Sequence, residues 1–460
     1  MLKLIKSKEI FIRNYINCNI VLFILYLFSI KIYANGGDFW GINSKSTSLS
    51  TAMTSGVDDY SASFYNPAKL SFIGLSNGGG YQYSLYNLDI TFDDNRTEKD
   101  IANFTKSTKE LQDGYHSYTF GFTIPVFATK EYALVFGMVN NYVENDLAKI
   151  SVYDEKTYQY YRYHSDVETV LMNAGIGFKF LSRFSIGFGL AQLVSVSGET
   201  KVDFNIGNDL DDDPNNDSKI YGKELFLGVV NERSYNFSFF VDYSPILIGL
   251  IYKQALKLPY KIPATIKIKD FEGEGKDAVI DLLIEGMGIW LAPEITLGTT
   301  YIINKKNRVN LDFSYQFWSK APKPYSYTTV TNPDENSLLY MNSESNQYLI
   351  AYRDTINIAL GYSFTTKNYE INSGFLFRPS VIEKTHSQVN YVDNNVLGVS
   401  WGTKINLTSL FLDNQDKNLY LNFAYSLQHH INQKENNKYY NSEVNYGGDI
   451  HLFNLDISYE

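Results

Sequence analysis

The sequence predicts an all-β chain: a transmembrane antiparallel β-barrel of about 14 strands around a small N-terminal helical hatch, or plug. Three observations carry that expectation. Apolar and polar residues alternate over most of the chain, the connections between alternating runs are short and long by turns, and one early stretch does not alternate at all.

The first residues read as an address. Lys3, Lys6, Lys8 and Arg13 precede an apolar run from Ile20 to Ile30. That run is shorter than the roughly 20 residues a spanning helix needs. Ile32-Tyr33-Ala34 ends in a small residue, so a signal peptide over residues 1–34, cleaved near Ala34, is expected. Cys18, the one cysteine of the chain, lies inside that leader. A disulfide framework and a thiol catalyst are thereby excluded from the exported protein. The net charge is −10, and the leader holds five Lys or Arg against one Glu, so its removal leaves the remainder more acidic. An acidic exported chain without a basic patch implies no nucleic-acid partner.

Aromatic residues make up 16% of the chain, with 38 Tyr and 30 Phe against 6 Met. Tyr suits a membrane interface, its ring in lipid and its hydroxyl in water. At 44% hydrophobic residues the chain is too polar for a bundle of membrane helices. It suits strands that turn every second side chain toward a polar lumen.

Residues 35–77 form the expected hatch. Ser46 to Ser55 reads as a short helix closed by Gly56. The following stretch runs Val57-Asp58-Asp59-Tyr60-Ser61-Ala62-Ser63-Phe64-Tyr65-Asn66-Pro67-Ala68-Lys69-Leu70. In it Asn66 caps a further helical turn and Pro67 suits the first helical position. Phe64 and Tyr65 call for burial. About 43 residues are too few for an independent core, so this segment needs a host.

Residues 78–460 supply it. Val309, Leu311, Phe313, Tyr315 and Phe317 share one face, while Asn310, Asp312, Ser314 and Gln316 share the other. The chain closes in the same way on Phe453, Leu455, Ile457 and Tyr459. Strands are expected near 79–91, 115–127, 131–143, 165–180, 183–204, 233–243, 246–269, 289–303, 307–319, 353–365, 368–380, 394–407, 417–430 and 446–459. Tight turns at Thr129-Lys130, Ser182, Ser244-Pro245, Lys305-Lys306 and Thr366-Lys367 alternate with long polar excursions. A soluble sandwich shares the period but has no reason to keep this rhythm. Outer-membrane barrels keep it, with short turns on the periplasmic side and long loops outside.

At this point a family resemblance enters. Asp58-Asp59-Tyr60-Ser61-Ala62-Ser63-Phe64-Tyr65-Asn66-Pro67-Ala68 resembles the N-terminal hatch motif of the FadL-type outer-membrane transport family, in which acidic residues and an aromatic pair precede Asn-Pro-Ala. Pro293 to Tyr301, Phe317-Trp318-Ser319 and Asp354-Thr355 with Ala359-Leu360-Gly361-Tyr362 are similar to later pieces of the family's strands. The resemblance implies a 14-stranded barrel with an N-terminal plug, and passive uptake of hydrophobic small molecules, long-chain fatty acids first and, as in some members, aromatic hydrocarbons. It implies hatch and gate roles for Asp58, Asp59, Phe64, Tyr65, Asn66, Pro67 and Ala68. Relatives that share the motif also serve as scaffolds in secretion systems, so a scaffold is the alternative function. One departure is the last residue: family barrels usually end on an aromatic, and here Tyr459 is followed by Glu460.

Other motifs carry less. Gly74-Leu75-Ser76-Asn77-Gly78 matches the G-x-S-x-G string, but that elbow needs a strand, a turn and then a helix, and here alternation follows. This leaves an outer-membrane lipid hydrolase a distant third reading. His429-His430 cannot grip one metal, because adjacent strand residues face opposite sides. A rim position facing water is expected for them. Asp209, Asp211 and Asp213 lack the Gly and Glu of a calcium loop, with Pro214 and Ile220 in those places. Pro125, Pro259 and Pro263 mark strand ends, bulges or a strand that leaves the wall. Arg353 and Arg378 sit at strand ends near long loops, where a guanidinium could take a carboxylate head group. The expected protein is a monomeric, non-enzymatic barrel without metal or cofactor, in a Gram-negative-type outer membrane. Its partners are a hydrophobic small molecule, outer-membrane lipids and, during biogenesis, the barrel-assembly machinery.

Overall fold

The computed structural model describes residues 41–92, 114–144, 159–160, 162, 169–205, 219–268, 278–322, 326–331, 342–344, 351–383, 391–411, 418–437 and 442–460. The leader with Cys18 and Ala34, the acidic loop at Asp209, and His164 and His386 lie outside these residues.

In chain order the strands are β1 (Ser76–Phe92), β2 (Gly114–Ala128), β3 (Ala133–Glu144), β4 (Gln159–Tyr160), β5 (Thr169–Phe180), β6 (Phe184–Asn205) and β7 (Lys219–Tyr243). They continue as β8 (Ile246–Lys253), β9 (Leu256–Ile268), β10 (Ala278–Leu291), β11 (Glu294–Ile302), β12 (Asn307–Gln316), β13 (Ser326–Thr331) and β14 (Asn342–Glu344). The last are β15 (Thr355–Thr365), β16 (Tyr369–Arg378), β17 (Tyr391–Val392), β18 (Val396–Asn406), β19 (Leu419–Asn437) and β20 (Ser442–Tyr459). Fourteen of them close into a barrel in the order β1-β2-β3-β5-β6-β7-β8-β11-β12-β15-β16-β18-β19-β20. Closure is antiparallel: β1 pairs with β2 through Ser76↔Thr123 and with β20 through Asn77↔Tyr459.

The two-residue period explains the barrel's two faces. On β12, Asn310 and Asp312 are buried inside while Phe313 is 43% exposed outside. The outer face repeats this with Phe188, Phe237, Leu250, Leu297, Leu360, Val399 and Leu455. An apolar belt of that extent suits lipid rather than water.

Each expected run coincides with one barrel strand, with two corrections. The run 246–269 is not one strand. The wall strand β8 stops at Lys253, and β9 pairs with β10 in a separate four-stranded sheet, β14-β13-β10-β9. The run 289–303 likewise straddles the end of β10 and the start of β11. Pro259 and Pro263 lie on β9, outside the wall ladder, where a missing N–H costs the barrel nothing. Pro125 stands at a register shift between β2 and β3, a bulge at Val126. β3 itself pairs without interruption to β5.

The hatch precedes β1. Its first helix, α1, spans Ser44–Ser48, earlier and shorter than the expected 46–55. Asn43 sets the start: its side chain accepts from the Ser46 N–H, and Ser46 accepts from the Asn43 N–H in return. Ser50 and Thr51, both at positive φ, turn the chain away after it. A second short helix, α2 (Ala62–Tyr65), leads into a 3₁₀ helix over Pro67–Phe72, with Asn66 as its cap and Pro67 at its start as expected.

Candidate functional site: a cavity between the hatch and a loop cap

The hatch touches every strand of the barrel. Tyr60 fills the space over Gly78 on β1 and Gly121 on β2, Leu70 that over Gly137 on β3, and Pro67 that over Gly175 on β5. Ala68 lies over Gly187 on β6 and donates its N–H to Ser238 on β7 at 2.9 Å. Thr54 covers Gly249 on β8 and Gly298 on β11, and its N–H reaches Asp312 on β12 at 2.8 Å. Leu49 covers Gly361 on β15 and Gly374 on β16, and Ser48 covers Gly402 on β18. Ser44 closes the circle, with its Oγ 3.4 Å from the Asn422 carbonyl on β19 and its N–H 2.6 Å from Asp456 on β20.

Glycine at the inward positions is what admits the hatch backbone. A Cβ on Gly187 would lie 2.1 Å from the Ala68 nitrogen, and one on Gly249 would lie 2.5 Å from the Thr54 oxygen. Both distances are inside van der Waals contact, so no larger residue fits without displacing the hatch.

The motif residues divide their work. Asn66, fully buried, donates to the Thr54 carbonyl at 2.8 Å and accepts from the Ala68 N–H at 3.1 Å, tying the two arms of the hatch together. Asp59 accepts from Asn43 at 2.9 Å and from the Ser61 N–H at 2.8 Å. Tyr65 is buried, with its hydroxyl accepting the Ile42 N–H at 3.2 Å. Phe64 departs from the expected burial: it is half-buried and faces the lumen, with Lys253 Nζ 4.3 Å from its ring centre.

Asp58 belongs to an ion network at the short-turn rim. Lys45 of the hatch lies 2.7 Å from Asp58 and 3.1 Å from Glu370, and Arg308 of the wall lies 3.0 Å from Asp58 and 3.3 Å from Glu370. Lys404 beside them pairs with Glu460 at 2.6 Å, so the non-aromatic last residue is anchored in place. Burial would raise the Asp58 carboxyl, but the Lys45 and Arg308 cations outweigh it and hold it well below the usual carboxylate range.

Beyond the hatch lies a cavity of ≈ 220 Å³. Ser50, Thr54, Phe64 and Tyr65 bound it on the hatch side, and Arg162, Trp318 and Arg378 on the long-loop side. Its wall is mixed. Phe64 joins Leu171, Leu256 and Leu291 in an apolar patch, while Asn173, Asn236, Glu294, Asn357 and Gln428 interrupt it. Of the two arginines singled out in the sequence, Arg378 is buried and lines the cavity. Arg353 is exposed and donates to the Ser380 carbonyl at 2.9 Å, away from the cavity wall.

A cap folded from the long connections closes over the other side. β4 and β17 pair in parallel, and Tyr160 is buried with its hydroxyl donating to the carbonyls of Asp89 and Gly447, at 3.0 and 3.1 Å. Arg162 pairs with Asp393 at 3.2 Å, both side chains buried, and lies 5.1 Å from the Trp318 ring centre. Asp393 also accepts the Val381 N–H at 2.8 Å, which joins the cap to the cluster of Trp290, Trp318 and Tyr352. Sequence reasoning missed Arg162 and Asp393, because both lie in long connections without a period.

The remaining candidates fall elsewhere. Ser76 opens β1, so the turn-to-helix context of a nucleophile elbow is missing. His429 faces outward and bonds Asp449 at 2.8 Å. His430, expected at a wet rim, is instead fully buried beneath Tyr160. Among the described residues, no group of three or more His, Cys, Asp or Glu could hold a metal.

No protein-family model matches the sequence, and neither does any curated protein. Solved structures do. The chain is similar to a Pseudomonas aeruginosa FadL homologue at 13% identity and a TM-score of 0.58, over 91% of this chain and 98% of that one. It is similar to the P. putida toluene transporter TodX at 13% identity and a TM-score of 0.56, over 92% of this chain and 98% of that one. The monoaromatic hydrocarbon channel CymD matches at 10% identity and a TM-score of 0.55, over 91% of this chain and 97% of that one. At such identities the likeness is one of fold, and the fold is the FadL-type barrel that the sequence predicts.

Proposed function

We propose that the chain is a FadL-type channel of a Gram-negative-type outer membrane, through which small molecules with an apolar body pass by diffusion. The observation that carries this reading is the cavity, held inside a lipid-facing barrel between the hatch and the loop cap. In this reading the short turns and the hatch face the periplasm, and the cap faces outward. The protein works as a monomer without a cofactor or catalytic group, surrounded by outer-membrane lipids after insertion by the barrel-assembly machinery.

Long-chain fatty acids are the first substrate class implied by the family resemblance, and they set a constraint. A chain of about 15 methylenes, fully buried at ~0.8 kcal/mol each, gains up to about 12 kcal/mol. That is near nanomolar affinity, with slow release. Passage therefore requires a step that weakens binding, and a hatch that shifts supplies it.

The test is flux into liposomes holding the purified full chain, with labelled dodecanoate and labelled toluene as probes. Uptake above protein-free liposomes is expected, and N66A and P67A should change it while the barrel stays folded. Normal uptake by these variants would remove the gate role. Absent uptake of both probes, together with recovery of a stoichiometric protein partner, would favour the scaffold reading.

A further inference from the structure

The hatch is fastened unevenly. From Ser44 to Asn66 it is tied to the wall or to itself by directional bonds. Lys45 pairs with Glu370 and Asp58 with Arg308, Asp456 takes the Ser44 N–H, and Ser400 Oγ bonds both Ser50 Oγ and the Ser48 carbonyl, at 2.7 and 2.9 Å. Asn66 ends this body with its bond to the Thr54 carbonyl. The 3₁₀ helix Pro67–Phe72 differs. Among the described residues, its hydrogen bonding to the wall comes down to the Ala68 N–H on Ser238. Lys69 forms no ion pair among those residues, and its Nζ rests 4.2 Å from the Phe240 ring centre. The remaining hold is packing: Leu70 on Gly137 and Gly177, and Phe72 edge-on to Phe240 with ring centres 4.9 Å apart.

That helix lies in a trough continuous with the cavity. On the inward face of β5, Leu171 and Asn173 line the cavity, and Gly175, Gly177 and Lys179 follow in steps of two. Pro67 covers Gly175, Leu70 covers Gly177, and the Phe72 ring centre is 5.2 Å from Lys179 Nζ. β7 runs in parallel with this series: Asn236 lines the cavity, Ser238 holds Ala68, and Phe240 packs on Phe72. Between them β6 turns Ala191 to the cavity and Gly187 to Ala68. One surface thus descends from the cavity to the short-turn rim, and Pro67–Phe72 fills its lower half.

We propose that cargo leaves the cavity down this trough as Pro67–Phe72 swings off β5, β6 and β7 about Asn66, while Ser44–Asn66 stays seated. The proposal rests on the cavity being the substrate path, and names the part of the hatch that moves. Packing on glycine and contact between a cation and a ring are tolerant of displacement, so the apolar body of a passing molecule can take their place. Lifting the other part would strand the charges of Asp58, Glu370 or Arg308 without their partners, which is the costly case. Asn66 suits a pivot because its own side chain is held by the seated body. The chain is held again at Ser76, whose N–H donates to Thr123 Oγ1 at 2.8 Å.

Two matched cross-links test it. A Cβ on Gly175 would lie 3.2 Å from that of Pro67, and one on Gly361 would lie 3.2 Å from that of Leu49. Both are close to the span of about 3.8 Å that a disulfide needs. With Cys18→Ser in each chain, P67C/G175C bolts the 3₁₀ helix across the trough just below Asn173, and L49C/G361C bolts the seated body to β15. Dodecanoate uptake into liposomes is compared between the oxidised and reduced forms of each variant. Oxidation should lower it about tenfold or more in P67C/G175C and leave it unchanged in L49C/G361C. Equal loss in both, loss in L49C/G361C alone, or loss in neither overturns the proposal. Hydrogen exchange of the unaltered protein gives a second reading. Dodecanoate should speed exchange about tenfold or more at the Ala68, Lys69 and Ile73 amides and leave Thr47 and Leu49 as they were; a uniform response, or none, overturns it too. If the unaltered protein passes dodecanoate while these results fail, the route falls and the channel stands. If the unaltered protein passes neither dodecanoate nor toluene, both fall.

Discussion

Asp312 on the barrel wall accepts the backbone N–H of Thr54 at 2.8 Å, and the same oxygen takes the Met53 N–H at 3.0 Å. A wall carboxylate thus replaces the helix that this corner of the hatch lacks. Asp312→Ala strands two buried donors, at about 1.5–3 kcal/mol for each bond to a charged acceptor. Hydrogen exchange at Met53 and Thr54 should accelerate by roughly two orders of magnitude or more, with the strand amides unaffected. Unchanged protection at those two amides would show that the hatch is held by other contacts.

Asp58 keeps its charge in the rim network in mild acid. The Asp58 carboxyl is held below its ordinary value by Lys45 and Arg308 against the opposing effect of burial. A depressed carboxyl contributes stability that is fully present above its unfolded value of about 3.9 and is lost only as pH falls through the lower folded value. After correction for intrinsic exchange, Asp58→Asn should lower hatch protection by the same factor at pH 7 as at pH 5, because Asp58 stays charged throughout that range. A factor that shrinks between pH 7 and pH 5 would show that Asp58 itself titrates there.

Gly187→Ala would put a Cβ where the Ala68 nitrogen now sits 2.1 Å away. Overpacking of this kind costs about 1–3 kcal/mol, and here the hatch is the part able to move. The variant should fold as a barrel, release Pro67–Phe72 to proteolysis and leak solute. Gly74→Ala, which meets nothing within 4 Å, is the control and should behave as the parent. Equal protease resistance in the two variants would contradict the close approach.

The cap rests on Arg162 and Asp393, a buried pair 3.2 Å apart. Removing one partner leaves the other charge buried, at about 3–5 kcal/mol. Single substitutions R162A or D393A should therefore raise the conductance of planar-bilayer channels more than half as much as the double substitution does. Simple additivity of the singles would mean that the two residues act apart.

Much of the barrel is legible in the sequence because a half-buried wall imposes period two on every strand, as on Val309 to Phe317. The Asn66-Pro67 turn is legible for a similar reason, since a cap and a fixed φ act locally. Alternation misleads at Gln254-Ala255, where the wall ends and β9 leaves it, because the period says nothing about which strand is the partner. Gly187 and Gly249 are just as opaque. A small residue at an inward position reads the same whether it faces water or a hatch backbone. Arg162 has no signal at all, being set by a fold-back of two long connections.

A plug that leans on all fourteen strands also has a place in time. Gly41 to Ile73 come before every strand in the chain, yet their socket includes Asp456 and Asn422 near its far end. The segment synthesised earlier has its whole socket only once β20 has paired with β1. Contacts between residues some four hundred positions apart form late. The seated hatch is in effect a receipt for a completed barrel, and a chain truncated before β20 should carry its hatch unfolded.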